Sequence, residues 1–218
     1  MGPGLPNWRD GCRVLDGTVS FEMTEVEPPR PQQLSPRERR RTSYGVRLGL
    51  AVAQEAVENA KVDPATLPTV FGWAHGDGPV MQRLLETLAT PERFVSPTEF
   101  HNSVHNVAVG YWTIASGSHQ PSSSIAAGVD TFAAALLKAM AEVSCEGRTV
   151  LLIVCGIPFP EPLNTVCPVG GSFGAAFVLA PADSGNGMAD LALEYDADSA
   201  GEPARPGRGP LRDLWALN

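Results

Sequence analysis

The chain lacks the features that would tie it to a membrane, a nucleic acid or a disulfide scaffold. No apolar run reaches the roughly 20 residues that a bilayer-spanning helix needs. Basic residues are outnumbered, with 16 Lys and Arg against 24 Asp and Glu and a formal net charge of -8. A surface that neutralises duplex phosphates needs the opposite balance, so a nucleic-acid partner is not expected. Cysteine is scarce: Cys12, Cys145, Cys155 and Cys167 form no CxxC pair and no zinc-ribbon spacing. Cys145 and Cys155 flank or lie in an apolar run, which fits free buried thiols. The opening MGPGLPNWRDG has no basic stretch followed by an apolar one, and no Ser or Thr where myristoylation needs it. These absences lead us to expect a soluble, reduced, cytoplasmic protein with no metal and no cofactor.

What is present is a globular composition. Of 218 residues, 43% are hydrophobic and 18% charged, enough for one large domain with a core and no staples. Residues 13–25 alternate weakly and suggest one strand or a short hairpin around Gly17, before a Pro-rich connector. At Ser35 a helix start is spelled out: Ser35 as N-cap, Pro36 in the first helical position, Glu38 completing a capping box. Apolar residues recurring from Val46 to Val57 carry that helix to about Lys61. Residues 69–74 read as a buried strand, 80–89 as a helix, 102–116 as a helix, 122–126 as a strand and 130–143 as a helix. TVLLIVC at 149–155 is an uninterrupted apolar run, as in a strand covered on both faces. Residues 172–179 suggest another strand, pairing antiparallel with it, and 188–195 a last one. Strands alternating with helices argue for α/β architecture with right-handed crossovers.

Several residue groups invite chemistry. His101 and His105 stand four apart, but HNSVH has Asn102 where a zinc protease needs its glutamate. Glu99 and His119 offer no ligand spacing. Both histidines are therefore expected to hydrogen-bond within a subunit interface. Gly170 to Gly174 fits GxSxG, yet a proline loop precedes the serine and a strand-like run follows it, the reverse of a nucleophile elbow. Cys155 and Cys167 have no evident activating partner, so structural thiols are expected. Arg37, Arg39, Arg40 and Arg41 cluster at the expected helix start, against the dipole. Two readings stand: a solvated end compensated by Glu38, or a docking patch for an acidic partner.

The run SPTEFHNSVHNVAVGYWTIASGS closely resembles the β-ketoacyl synthase-like proteins of aryl polyene and related polyene pathways, of the short chain length factor type. FGWAHGDGPVMQRLLETLA before it and VLLIVCGIPFPEPL after it resemble that family too. The likeness extends over residues 35–181. It implies a thiolase-like half: a βαβαβαββ mixed sheet with helices on its faces, lacking the second half that carries the decarboxylating histidines. In active relatives the run matching PSSSIAAGV ends in a nucleophilic cysteine. Here Val129 falls at that position, and Gly128 or Asp130 falls there if the match slips by one residue. None of the three can accept an acyl group as a thioester. The resemblance therefore implies a catalytically silent subunit paired with an active synthase, setting the depth of a cavity for the growing chain on acyl carrier protein. Phe100, His101, His105, Asn106, Trp112 and Phe132 become candidates for the cavity or interface, with Val129 and Phe132 foremost. The Arg37–Arg41 cluster becomes a candidate carrier-docking site. Asp130 is expected to cap the helix after the elbow.

The organisation expected is a strand or hairpin and connector over 1–34, the synthase-like domain over 35–197, and a flexible tail over 198–218. Two other functions stay open. One is a small acyl-transfer enzyme using Cys155 or Cys167 with His101 or His105. The other is a self-associating structural protein.

Overall fold

The computed structural model describes residues 1–185, 187–194 and 212. The expected tail, Arg212 apart, lies outside the described residues.

Four strands make one mixed sheet: β1 (Thr69–Gly72), β2 (Ser122–Ile125), β3 (Val150–Gly156) and β4 (Phe173–Leu179), in the order β2-β1-β3-β4. β1 pairs parallel with both β2 and β3, and β4 runs antiparallel to β3. The sheet is mixed with helices on its faces, as the strand–helix alternation implied. The apolar run around Leu151 became β3 because its side chains are buried on both sides. Its neighbour β4 can be antiparallel because only a proline-rich loop and one short helix separate the two.

The N-terminal segment departs from expectation. Residues Trp8–Leu15 form a helix, α1, not part of a strand or hairpin. Asn7 is its cap: the Asn7 Oδ1 accepts the Asp10 amide at 2.8 Å, satisfying an otherwise orphaned donor. The weak alternation of residues 13–25 lost to that local signal. Gly17, at φ +80°, turns the chain away after the helix. The last expected strand is absent too: residues 188–194 are irregular among the described residues, with Met188 82% exposed.

The capping box at Ser35 forms as read, with both reciprocal hydrogen bonds to Glu38. The helix it starts, α2 (Pro36–Arg39), lasts one turn. Ser43 then caps a second start through the Val46 amide at 3.3 Å, giving α3 (Tyr44–Ala60). α3 ends at Lys61 in the left-handed region. α4 (Gly78–Ala89) follows β1, capped by Asp77, whose Oδ1 accepts the Val80 amide at 3.1 Å. The single helix expected over 102–116 is two, α5 (Pro97–Ser103) and α6 (Val107–Ser116), because Val104 adopts an extended backbone between them. α7 (Thr131–Glu146) follows β2, and α8 (Leu163–Val166) lies between β3 and β4.

α3 and α6 cover one face of the sheet. There Val46, Leu48, Leu50, Phe71, Trp73, Trp112, Leu151 and Ile153 form the main core. α7 covers the other face with a smaller cluster of Val70, Ala135, Ala139, Val150 and Leu152. Close approach depends on small residues. A Cβ at Gly72 would stand 3.1 Å from Ala135, where α7 crosses β1.

Candidate functional site

Parallel pairing brings the C-terminal ends of β1 and β2 to one edge, with Gly72 opposite Ile125. The elbow lies there. From Ile125 the chain passes through Ala126 and Ala127 into a 3-10 turn, Gly128–Asp130, and directly into α7. Strand, tight turn and helix thus form as the sequence suggests. Gly128 has φ +56°, a conformation that favours glycine. The turn is clamped by Thr131, which the sequence reading overlooked. Its hydroxyl accepts the Ala127 amide at 2.9 Å and donates to the Gly128 carbonyl at 2.7 Å. Asp130, expected to cap α7, makes no side-chain cap hydrogen bond, and the buried Thr131 fastens the turn instead. The signal was local: a hydroxyl residue one step after Gly-Val-Asp can reach back to the turn.

At the tip of this elbow Val129 is 100% exposed. Phe132, one turn into the helix, is half-exposed and packs at 6.3 Å from Phe177 of β4, itself 40% exposed. Leu137 further along α7 is also exposed. The bare branched aliphatic side chain at the elbow's tip offers neither a nucleophile nor a proton-transfer group. It offers apolar surface, whose coverage is worth ~1.5–3 kcal/mol for one such side chain.

The remaining candidates divide. Phe100 is 64% exposed on α5, and Asn106 is exposed at the start of α6 without making a cap bond. His105 lies half-buried, and its Nε2 donates to the Trp73 carbonyl at 2.8 Å. That bond fixes its tautomer. His101 is exposed and makes an edge-on contact with the Tyr111 ring, centroids 5.5 Å apart. The break at Val104 separates the two histidines onto different segments. Trp112 is corrected. It is fully buried between α6 and the core, so it lines no surface.

The arginines do not stand at a long helix start. They occupy the single turn of α2 and the link to α3. Arg39 is spent internally, its Nη1 donating to the Pro31 carbonyl at 3.4 Å. Arg37, Arg40 and Arg41 are exposed. The fold sets Arg41 beside α5 and α6: Asn102 Nδ2 donates to the Arg41 carbonyl at 2.6 Å. Burial raises the Tyr111 phenol above its usual range, and the nearby Arg41 charge opposes that rise. Of the basic patch, Arg41 is the member set near Asn102 and Tyr111.

Cys155 fits no nucleophile. It is buried on β3, and that burial, aided by the Asp77 carboxylate, pushes its thiol far above the ordinary range. A thiol so held carries no thiolate at neutral pH. Cys145 and Cys167 are exposed, and Cys145 is thereby not the buried residue expected. Ser172 of the GxSxG match directly precedes β4, with no helix after it. Among the described residues no three His, Cys, Asp or Glu side chains gather to hold a metal. Two surface clefts, of about 210 and 370 Å³, border the N-terminal 32 residues, and neither includes the elbow.

The family model of the β-ketoacyl synthase N-terminal domain matches residues 17–207, and the chain belongs to that family. Among solved structures it is similar to a ketosynthase (ApeO) in complex with its chain length factor (ApeC) from Xenorhabdus doucetiae. That match has 26% identity and a TM-score of 0.69, over 82% of this chain and 74% of that one. Two more distant likenesses concern the fold alone. One is a type II polyketide synthase acyl-carrier protein in complex with its ketosynthase (AntDE:AntF), at 14% identity and TM-score 0.64, over 84% of this chain and 60% of that one. The other is a β-ketoacyl synthase from Burkholderia phymatum STM815, at 12% identity and TM-score 0.51, over 76% of this chain and 47% of that one. No curated protein matches the chain. Among the described residues no helix is long and apolar enough to cross a membrane.

Proposed function

We propose that this chain is the catalytically silent, chain length factor-like partner of an active β-ketoacyl synthase. The pair would act in cytoplasmic type II polyene or fatty-acid-like biosynthesis. The observation that carries the reading is the elbow. A strand–turn–helix in a chain of the synthase family presents Val129 fully exposed, at the position that the sequence resemblance matches to the nucleophile of active synthases. Condensation on acyl carrier protein is then the partner's chemistry, and this chain contributes side-chain volume to a shared cavity. Val129, Phe132 and Phe100 are the side chains we assign to that surface, with His101, His105 and Asn106 at its border. Arg37, Arg40 and Arg41 are assigned to carrier-protein docking, as an exposed cationic patch suited to an acidic surface. The likeness to a ketosynthase–chain length factor complex supports the pairing.

Co-expression with a full-length synthase of the same gene neighbourhood tests this, with the mass of the purified complex measured by light scattering. A one-to-one heterodimer is the expected result. A chain that never captures the synthase overturns the reading and favours self-association.

A further inference from the structure

Little but one side chain fixes where the elbow stands. Ala126, Ala127, Gly128, Val129 and Asp130 are all exposed. A Cβ at Gly128 would meet nothing within 4 Å, so no packing props the turn from outside. Two backbone bonds close it, from the Asp130 amide to the Ala127 carbonyl at 3.1 Å and from the Thr131 amide to the Gly128 carbonyl. Among the described residues, the side-chain hydrogen bonds to the elbow come from Thr131 alone.

Thr131 is itself anchored, at 5% exposure, and its two branches do different things. The hydroxyl accepts the Ala127 amide at 2.9 Å and donates to the Gly128 carbonyl at 2.7 Å. The methyl packs toward β1, where a Cβ at Gly72 would stand 3.3 Å from it. One buried residue thus links an exposed turn to the sheet beneath. A functional group is held to within ~0.5 Å only when a packed neighbour fixes it, and Thr131 is placed to do that for Val129.

We propose that Thr131 is the positioning residue of the elbow. Its hydroxyl holds Val129 at one height over the surface that meets the synthase, and so sharpens the chain length that the pair makes. This rests on the silent-partner reading and adds what keeps the cavity boundary in place. Thr131 touches no acyl chain and acts through Val129.

The test co-expresses the synthase with the full chain and with two variants. Thr131→Val keeps the methyl contact and removes both hydroxyl bonds, while Thr131→Ser keeps the bonds and removes the methyl. Light scattering reads the pair, mass spectrometry the product lengths, and hydrogen exchange the Ala127 amide in the lone chain. The valine variant should still pair. Its Ala127 amide should exchange about tenfold faster, as the loss of one ordinary hydrogen bond allows, and its products should shift or spread by at least one condensation step. The serine variant should melt lower than wild type, having lost a buried methyl, yet keep wild-type exchange and products. That rescue separates positioning from stability, because a merely structural Thr131 would leave the products of every intact pair unchanged. Should the valine variant fail to fold, Thr131→Ala removes the same hydroxyl and decides. Wild-type products from an intact pair lacking the hydroxyl overturn the proposal while the silent-partner reading stands. A serine variant with the valine variant's products traces the effect to the methyl and overturns it as well. So does a folded hydroxyl-free chain that no longer pairs, which makes Thr131 a determinant of pairing alone. A wild-type chain that never binds the synthase overturns both readings.

Discussion

On one side of the sheet, Phe71, Leu151 and Ile153 are sealed beneath α3 and α6, together with two fully buried tryptophans, Trp73 and Trp112. On the other side α7 covers Val70, Val150 and Leu152, but leaves Phe132, Phe177 and Leu137 in solvent beside a bare Val129. The same strands supply both faces. One is closed by side chains of this chain, and the other keeps an apolar margin. Large exposed apolar groups gathered beside a rigid elbow mark a surface meant to be covered. Stability should therefore reside in the first face and partner recognition in the margin of the second.

The largest effect is expected from the sealed face. Trp112→Ala should cost about 3–5 kcal/mol of unfolding free energy, the range for truncating a buried aromatic, seen as a lower urea midpoint. A cost below about 1 kcal/mol would break the contrast between the faces. The open face should give the reverse pattern. Val129→Glu should leave the lone chain within about 0.5 kcal/mol of wild-type stability, as exposed substitutions do. It should weaken synthase binding by about 2 kcal/mol or more, because a charge would then be buried unpaired. Equal binding by this variant would remove the elbow from the interface.

Phe132→Ala lies between the two. It loses a half-buried ring contact with Phe177, worth about 1 kcal/mol, and it should lengthen or spread the products of the co-expressed pair. An unchanged product profile from an intact heterodimer counts against a cavity role.

The smallest effect is a pH dependence from the sealed face. The folded Cys155 thiol is raised above its unfolded value by burial, with Asp77 adding to the rise. Its contribution is thus fully present below the unfolded thiol pKa of ~8.5, and is lost as pH climbs toward the folded value. Tyr111, also raised by burial, acts in the same direction at higher pH. By pH 9 the unfolding free energy should have fallen by a little under ~1 kcal/mol on the thiol's account. Cys155→Ala should flatten the first part of that slope. In the native protein Cys155 should stay unlabelled by iodoacetamide at pH 8, whereas rapid labelling there would revive the thiol-enzyme reading.

Much of this was readable in the residues, and the limits have a common cause. The capping box at Ser35 and the caps at Ser43 and Ser96 are local chemistry, in which a hydroxyl reaches an amide three residues on. Sequence reading located the first of these. It overran the helix length because Ser43, eight residues later, competes as a second start. The 13–25 segment was misjudged for a similar reason: weak alternation was weighed, while Asn7, lying just outside it, nucleated α1. The elbow was legible as strand, turn and helix, since a short serine-rich run meets a glycine before a long apolar helix. Its clamp, Thr131, was not singled out.

By itself, the order of residues determined the strand–helix alternation, the doubly covered β3, the absence of a nucleophile at the β2–α7 turn and the acidic balance of the chain. Each depends on period, composition or a contact a few residues long. Only tertiary structure decided that Trp112 is core and Phe132 is not, that Asn102 meets the Arg41 carbonyl, and that α4 and the elbow leave from one end of the sheet. Those outcomes depend on which helix face meets which strand, through contacts between residues tens of positions apart. A side chain's chemistry does not reveal whether its neighbour is another part of the chain or water.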